Sequence, residues 1–292
     1  MGIGYKFFAG LAMFAMATAM GAVSAAKASD PPEWSAPVQP FQIAGGVYYV
    51  GTKGLAAYLI VSKQGAILLD GTTAENAALI ERNIQAVGVP LHSVKLLISD
   101  HAHPDHVGAL TQIKRDTGAK FLASAGDTWA LTHGRARGDF NYTPQPFPPI
   151  KVDRNVGDGE TIRLGETTLT AHLTPGHTPG CTSWSTTVKE GGRPLNVLFL
   201  CSITVAGNIL VGNHAYPEIV SDFRETFDKL AMMKADILLT SHPEMAQVLE
   251  REARREGGMP DAFVDPSALP SLVAESRAAF ETSLAAARTV AQ

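Results

Sequence analysis

The sequence lacks a surplus of basic residues. It has 24 Lys and Arg against 28 Asp and Glu, a formal net charge of −4 over 292 residues. A nucleic acid partner demands a basic surface that offsets its phosphates. The composition therefore argues against a nuclease or another protein that binds nucleic acid.

Cysteine is also scarce, with only Cys181 and Cys201. Neither lies near the N terminus, so a lipoprotein anchor would have no attachment point. An oxidising compartment permits a disulfide between them, and the alternative is two buried thiols that pack as small hydrophobes. The sequence leaves both alternatives open.

The N-terminal segment predicts a secretory signal peptide at residues 1–28. Lys6 precedes a continuous run of small and apolar residues at 7–23, and a small-x-small cleavage site follows at 26–28. Ala25 is a competing cleavage position, and an uncleaved membrane anchor is the other alternative, for which the run is short. Cleavage would remove two lysines and no acidic residue, so 22 basic and 28 acidic residues would leave a formal charge of −6. We predict that residues 29–292 form a single domain of a periplasmic or secreted protein.

The most informative segment is HAHPDH at residues 101–106. It places three imidazoles and one carboxylate directly after an apolar stretch, 94–99, that predicts a buried strand. Imidazole nitrogen and carboxylate oxygen are zinc ligands, and a catalytic zinc leaves one position open for water. Four ligands in one segment therefore favour two metals side by side. Isolated histidines carry no such signal, and we interpret four of them as surface or hydrogen-bonded residues: His92, His133, His172 and His214.

Two further histidines follow strand-like segments downstream. His177 lies in the loop TPGHTPG at 174–180, after the predicted strand 167–173, and His242 follows the apolar stretch 236–240. A sheet holds groups at its strand ends in fixed geometry. We therefore predict that both side chains join the metal site, whereas His172, inside its strand, packs or hydrogen bonds.

The order of apolar patterns predicts one α/β domain made of two similar halves. Residues 134–150, rich in glycine, proline and aromatics, predict a loop over the site. Predicted strands lie at 47–50, 56–61, 66–70, 94–99, 120–123, 161–164, 167–173, 182–188, 196–200 and 236–240. Predicted helices lie at 74–87, 109–117, 221–233 and 266–287.

Together these motifs resemble the metallo-β-lactamase superfamily, and within it the third subclass (B3) of the class B zinc β-lactamases. The resemblance includes the segment 40–51, the segment 54–60, HAHPDHVG, TPGHTPG and the LLTSHP segment around His242. It implies an αββα sandwich, two β-sheets between outer helices.

The resemblance also implies the ligand roles. His101, His103 and His177 would hold one Zn²⁺, and a second Zn²⁺ would be held by Asp105, His106 and His242. Asp105 would in addition be catalytic, orienting a metal-bound hydroxide that attacks the amide carbonyl. Asp105 is also a candidate helix N-cap, since it precedes a predicted helix, and the two roles are compatible because capping needs only one of its oxygens.

The segment 200–204 separates this subclass from its relatives. Glyoxalase II and related lactonases place a bridging aspartate there, whereas this chain has Cys201 and Ser202. The first subclass has a cysteine ligand nearby, but the third has a serine and uses the histidine after HxHxD. His106 and Ser202 fit the third pattern, so Cys201 is not predicted to be a ligand.

Four residues are predicted to bind substrate: Ser202, Thr204, Asn208 and Trp34. The two hydroxyl groups would donate to a substrate carboxylate, and the Asn208 amide would polarise the carbonyl oxygen unless it is only a turn residue. Trp34, with Phe140 and Tyr142, would wall the cleft or else pack as ordinary aromatics.

These features predict a monomeric, zinc-dependent β-lactamase that acts on penicillins, cephalosporins and carbapenems, with no nucleic acid partner and no membrane association after signal cleavage. One alternative is hydrolysis of another ester or thioester on the same scaffold. A second is a non-catalytic zinc-binding or scaffolding protein, which would require loss of a ligand.

Overall fold

The computed structural model describes residue 1 and residues 30–290. Contacts divide the chain into residues 1–30 and a large unit, 31–292, that holds every helix and strand given below. The predicted signal peptide lies almost wholly outside the described residues, so it stays a prediction. Within residues 30–290, no helix combines the length and hydrophobicity needed to cross a membrane.

The first half of this unit forms a seven-stranded sheet. Its strands are β1 (Phe41–Ala44), β2 (Val47–Tyr49), β3 (Tyr58–Ser62), β4 (Gly65–Leu69), β5 (Val94–Ile98), β6 (Lys120–Ser124) and β7 (Arg154–Val156), and they lie side by side in chain order. β1 to β4 pair antiparallel, whereas β4 to β7 pair parallel through helical crossovers. The crossover helices are α1 (Ala77–Ala86), α2 (Pro104–Val107), α3 (Leu110–Thr117) and α4 (Ala125–His133).

The second half forms a five-stranded sheet in the order β12-β11-β10-β9-β8. Its strands are β8 (Thr161–Leu164), β9 (Thr167–Leu173), β10 (Thr182–Glu190), β11 (Arg193–Leu200) and β12 (Ile237–Thr240). Only β11 and β12 pair parallel, and they are joined through α5 (Ile219–Ala231). The chain closes with α6 (Val248–Glu256) and α7 (Ala268–Val290).

Alternation along the first sheet divides the apolar core into two layers. Leu59, Leu68 and Leu97 pack with α1, α3 and α4 on one face. Residues of opposite parity, such as Ile67 and Leu69, join the second sheet and the helices α5 and α7 on the other face. Because successive strand side chains point to opposite faces, one buried sheet serves both layers. The predicted αββα sandwich is confirmed.

Hydrogen bonds between the sheets fix the strand ends that lead into the site. The indole Nε1 of Trp184 on β10 donates to the carbonyl oxygen of Ser99, directly after β5, across 3.1 Å. The Tyr58 hydroxyl donates to the carbonyl oxygen of Thr240, at the end of β12, across 2.7 Å. These buried bonds set the relative position of segments that are far apart in the sequence.

Sequence patterns located most elements but missed β1, β7, α2, α4 and α6. The predicted helix at 74–87 begins as a 3-10 turn, Ala74–Asn76, before α1. β10 and β11 each extend further into their hairpin than predicted, to Glu190 and from Arg193. The predicted loop 134–150 contains no helix or strand.

Candidate metal centre

Three segments that follow strands converge at the candidate site. Residues 101–106 follow β5, His177 lies on the loop after β9, and His242 follows β12. The structure brings the six predicted ligands together in two groups, and within each group the ligand atoms lie within 4.8 Å of one another. The first group is His101, His103 and His177; the second group is Asp105, His106 and His242.

The imidazoles of the first group face one another through nitrogen atoms. Nε2 of His177 lies 3.1 Å from Nε2 of His101 and 3.1 Å from Nδ1 of His103. Two nitrogen ligands of one tetrahedral zinc, each about 2.0 Å from the metal, are separated by about 3.3 Å. The observed spacing is therefore close to that of a metal-binding set.

Hydrogen bonds from the Nδ1 atoms of His177 and His101 determine which ring nitrogens remain available to bind a metal. Nδ1 of His177 donates to the carbonyl oxygen of Thr204 and Nδ1 of His101 donates to Oδ1 of Asp100, both across 2.8 Å. Burial lowers the pKa of His177 to about 3 and that of His101 to about 4, so both rings are neutral at pH 7. Their facing Nε2 atoms then carry bare lone pairs, which repel unless a cation lies between them. The first group therefore fits a metal ion.

The second group combines a carboxylate with two imidazoles. Oδ2 of Asp105 lies 3.1 Å from Nε2 of His106 and 3.3 Å from Nε2 of His242. Burial raises the pKa of Asp105, but the neighbouring His106 and His242 hold it well below its usual range. Nδ1 of His106 is buried without a hydrogen-bond partner among the described residues, and its Nε2 faces the Asp105 carboxylate. An ionised oxygen beside two imidazole nitrogens also fits a divalent metal.

The helix-cap interpretation of Asp105 is wrong. The N-cap residue of α2 is His103, and Asp105 lies inside the first helical turn. No side chain caps this helix. The Asp105 carboxylate instead faces the imidazoles of His106 and His242.

Three buried carboxylates that the sequence analysis missed support these segments. Asp100 accepts from His101, Asp70 accepts from the backbone N–H of Asp100 across 3.0 Å, and Asp127 accepts from the N–H of Ala102 across 2.9 Å. The position of Asp100 beside the motif was a usable signal. The S-x-x-D spacing that ends at Asp127 indicates a helix start, but not this tertiary contact.

Cys181 and Cys201 form a disulfide with Cα atoms 5.9 Å apart, so the alternative of two free thiols is wrong. Both residues are fully buried at the edge of the first group. Because both sulfur atoms are used in the bond, Cys201 has no thiolate to offer a metal.

The predicted substrate-binding hydroxyl groups lie together after β11. Oγ of Ser202 and Oγ1 of Thr204 are 3.0 Å apart. Asn208 is buried, and its amide nitrogen donates to the carbonyl oxygens of His177 and Val205. The amide of Asn208 thus holds the loop after β11 against the loop of His177. The role predicted for this amide is donation to the carbonyl oxygen of the substrate.

Aromatic rings flank both groups. The ring of Trp34 lies 5.9 Å from that of His242, and the ring of Phe140 lies 6.1 Å from that of His103. Tyr142 is half exposed beside Phe140. Two of the three predicted wall residues therefore contact metal-ligand candidates directly.

The other histidines lie elsewhere. Nε2 of His172 and Oγ of Ser185 form a hydrogen bond of 2.8 Å between β9 and β10, as predicted for a histidine inside a strand. His92, His133 and His214 are exposed.

Comparisons with known proteins agree with this geometry. Residues 53–242 match the family described as the metallo-beta-lactamase superfamily. The structure is similar to BJP-1, a subclass B3 metallo-beta-lactamase of Bradyrhizobium japonicum, with 42% identity, a TM-score of 0.85, and coverage of 89% of this chain and 99% of that one. It is also similar to the FEZ-1 metallo-beta-lactamase of Legionella gormanii, with 36% identity, a TM-score of 0.83, and coverage of 87% and 98%.

Curated relatives are more distant and more varied. A hydroxyacylglutathione hydrolase of Bradyrhizobium is 32% identical over 105 residues, which are 36% of this chain and 33% of that protein. An uncharacterised protein of Aquifex aeolicus is 28% identical over 119 residues, 39% of this chain and 51% of that protein. The chain thus spans about half or less of the length of these relatives. The matched family region, the two-sheet fold and the similarity to subclass B3 structures agree: this chain belongs to the metallo-β-lactamase superfamily.

Proposed function

We propose that the protein is a zinc-dependent β-lactamase that hydrolyses the amide bond of β-lactam rings. The observation that carries the proposal is a group of three buried imidazoles whose pKa values burial lowers, so that all three are neutral at pH 7, beside a second group of one carboxylate and two imidazoles. The similarity to subclass B3 enzymes over nearly their whole length supports this substrate class.

Two Zn²⁺ ions are the proposed cofactors, one in each group. Zinc supplies Lewis acidity, which lowers the pKa of a water molecule towards neutrality and polarises a carbonyl group. Asp100 and the Thr204 carbonyl fix the tautomers of His101 and His177, so that Nε2 of each ring is presented as a ligand.

The chain's own side chains would orient the reactants. Oδ2 of Asp105 faces His106 and His242, which leaves Oδ1 to accept a hydrogen bond from the attacking water. The hydroxyl groups of Ser202 and Thr204 would donate to the substrate carboxylate. Trp34, beside His242, and Phe140, beside His103, would pack against the apolar faces of the substrate.

The proposal includes a periplasmic or secreted monomer that acts on small molecules. The N-terminal apolar run with its small-x-small site supports export. N-terminal sequencing of the exported protein tests cleavage at residue 28, and light scattering of the purified protein tests the monomer.

The decisive experiment is hydrolysis of a penicillin, a cephalosporin and a carbapenem by the purified protein. Each is assayed with bound metal, after removal of metal by a chelator, and after zinc is restored. We expect ring opening that disappears with the metal and returns with zinc. His92→Ala, which changes an exposed histidine far from the motif, is the matched control for His101→Ala.

A zinc-loaded protein that opens none of the three rings would overturn the proposed substrate class. Thioesters and other esters would then be assayed, because hydroxyacylglutathione hydrolases are among the relatives. The absence of a carboxylate at Cys201 and Ser202, where such enzymes have a bridging aspartate, speaks against that outcome.

A further inference from the structure

Asp127 is a buried carboxylate in the first turn of α4, outside both metal-ligand groups. Its side chain is only 2% exposed. Among the described residues, no lysine, arginine or histidine forms an ion pair with it. A buried charge without a cation is costly unless hydrogen bonds compensate it.

Three donors supply that compensation, and they come from the two segments that carry the first group. Oδ2 of Asp127 accepts from the backbone N–H of Ala102 across 2.9 Å and from the Thr178 hydroxyl across 3.0 Å. Oδ1 accepts from the backbone N–H of Gly180 across 2.9 Å. Burial raises the pKa of Asp127 to about 6, while these donors act in the opposite direction, so the carboxylate is ionised at pH 7.

The positions of the donors matter more than their number. Ala102 lies between His101 and His103, and Thr178 directly follows His177. One carboxylate therefore joins the segment that bears two ligands of the first group to the loop that bears the third. It forms no hydrogen bond with any of the three imidazoles or with any residue of the second group.

Backbone packing shows that this junction is built closely. A β-carbon at Gly180 would overlap the backbone nitrogen and carboxyl carbon of Asp127, and one at Gly126 would overlap the carbonyl group of Pro179. The Ser124 hydroxyl also donates to the carbonyl oxygen of Gly180 across 2.6 Å. The start of α4 is thus fastened to the His177 loop by backbone contact as well as by the carboxylate.

We propose that Asp127 is a positioning residue for the first metal: by tying the two segments together it sets the spacing of His101, His103 and His177. This inference rests on the proposed function only in assuming that the first group binds zinc. It predicts that substitution of Asp127 lowers the affinity for the first metal and leaves the affinity for the second metal nearly unchanged.

Asp127→Asn is the primary test. Asparagine has the same size as aspartate, but its NH₂ group replaces one of the two oxygens that accept hydrogen bonds from backbone N–H groups. Metal-free protein is titrated with Zn²⁺ and with Co²⁺ against a competing chelator. We expect affinity for the first metal to fall about tenfold, at the lower end of the effect of removing hydrogen bonds that orient metal ligands. Affinity for the second metal should change less than about threefold.

A double-mutant cycle separates positioning from general destabilisation. His177→Ala removes a first-group ligand, so adding Asp127→Asn in that background should leave the remaining metal affinity unchanged. Asp153→Asn is the control, since Oδ2 of Asp153 accepts a backbone N–H from Phe121 across 2.8 Å and also pairs with Lys114, but contacts no ligand segment. Thr178→Val removes one donor to Asp127 and should lower the affinity for the first metal by about threefold. It provides a milder variant if Asp127→Asn folds poorly.

Wild-type affinity for the first metal in both Asp127→Asn and Thr178→Val would overturn the inference. Equal losses of affinity for the first and the second metal would also overturn it. These readouts need no β-lactam. A wild-type protein that binds two metals but opens no β-lactam ring would overturn the proposed function and still leave the role of Asp127 measurable.

Discussion

Nδ1 of His177 donates to the carbonyl oxygen of Thr204 across 2.8 Å, and this bond turns Nε2 towards His101 and His103. The acceptor lies on the loop after β11, next to the hydroxyl groups proposed to bind substrate. One short segment therefore both orients a metal ligand and carries the hydroxyl groups proposed to bind substrate, which would couple substrate contacts to the geometry of the first group.

Replacing His177 with alanine is expected to lower bound zinc from two equivalents per chain to about one, because the first group loses one of its three ligands. Atomic absorption after dialysis measures the metal content. His92→Ala should keep the wild-type content. Two tightly bound equivalents in His177→Ala would show that the first group is not a metal site.

Asp105→Asn and Asp105→Ala should remain folded but lose hydrolysis by about 100-fold or more, the usual effect of removing a group that handles the proton of the attacking water. The side chain also belongs to the second group, so zinc content is measured alongside kcat and KM. Near-normal turnover in either variant would contradict the two-metal mechanism. Asp116→Asn, on the exposed face of α3, is the control.

The double substitution of Cys181 and Cys201 with serine is expected to lower the free energy of unfolding by about 3 kcal/mol, because the disulfide closes a loop with a sequence separation of 20. Urea unfolding measures the change, and wild-type protein unfolded with a reductant should match the variant. Zinc content should not change. Loss of one zinc from the variant, with the fold intact, would assign Cys201 a ligand role after all.

Asp265 is expected to make the stability pH-dependent. Hydrogen bonds from Ser267 and Arg251 lower its pKa to about 2 in the folded protein, below its ordinary value of 3.8. The ionised form is thus favoured by folding, so the stabilisation is present above about pH 4 and is lost as pH falls to 2. Since the side chain is about one-third exposed, we expect roughly 1 kcal/mol or less.

Thermal unfolding of wild type and Asp265→Asn between pH 2 and 6 tests this expectation. The difference in Tm between the two proteins should be largest above pH 4 and should disappear near pH 2. A difference that stays constant over this range would show that the folded and unfolded pKa values of Asp265 are the same.

Elements with strong local patterns were predictable, and those stabilised by distant contacts were not. β5 and β12 are short apolar runs, each followed by a ligand, and both were located from the sequence. α6 is mostly charged, and its buried residues are Val248 and Arg251, whose guanidinium donates to the carbonyl oxygens of Ala246 and Ala262 and to Asp265. Hydrophobic periodicity gives no signal for a helix held by such contacts.

The same distinction applies within the site. The HAHPDH segment indicates metal chemistry by itself, because three imidazoles and a carboxylate in six residues have few other uses. Asp127 had no comparable signal, since the hydrogen bonds that define its role come from residues about 25 and 50 positions away. The serine three residues before it fits a helix start that was not predicted, and both side chains are used in contacts with other segments.

The sequence alone therefore determined most of the strand-and-helix order from local patterns and, through the family resemblance of its motifs, the sandwich class and the set of six candidate ligands. Only the tertiary structure decided that Cys181 and Cys201 are bonded and which carboxylates hold the ligand segments, and it brings the six ligands together in the two groups that the resemblance implied. These features depend on distances between residues that are far apart in the chain. Such distances are set by the packing of two sheets around one core, which no local pattern encodes.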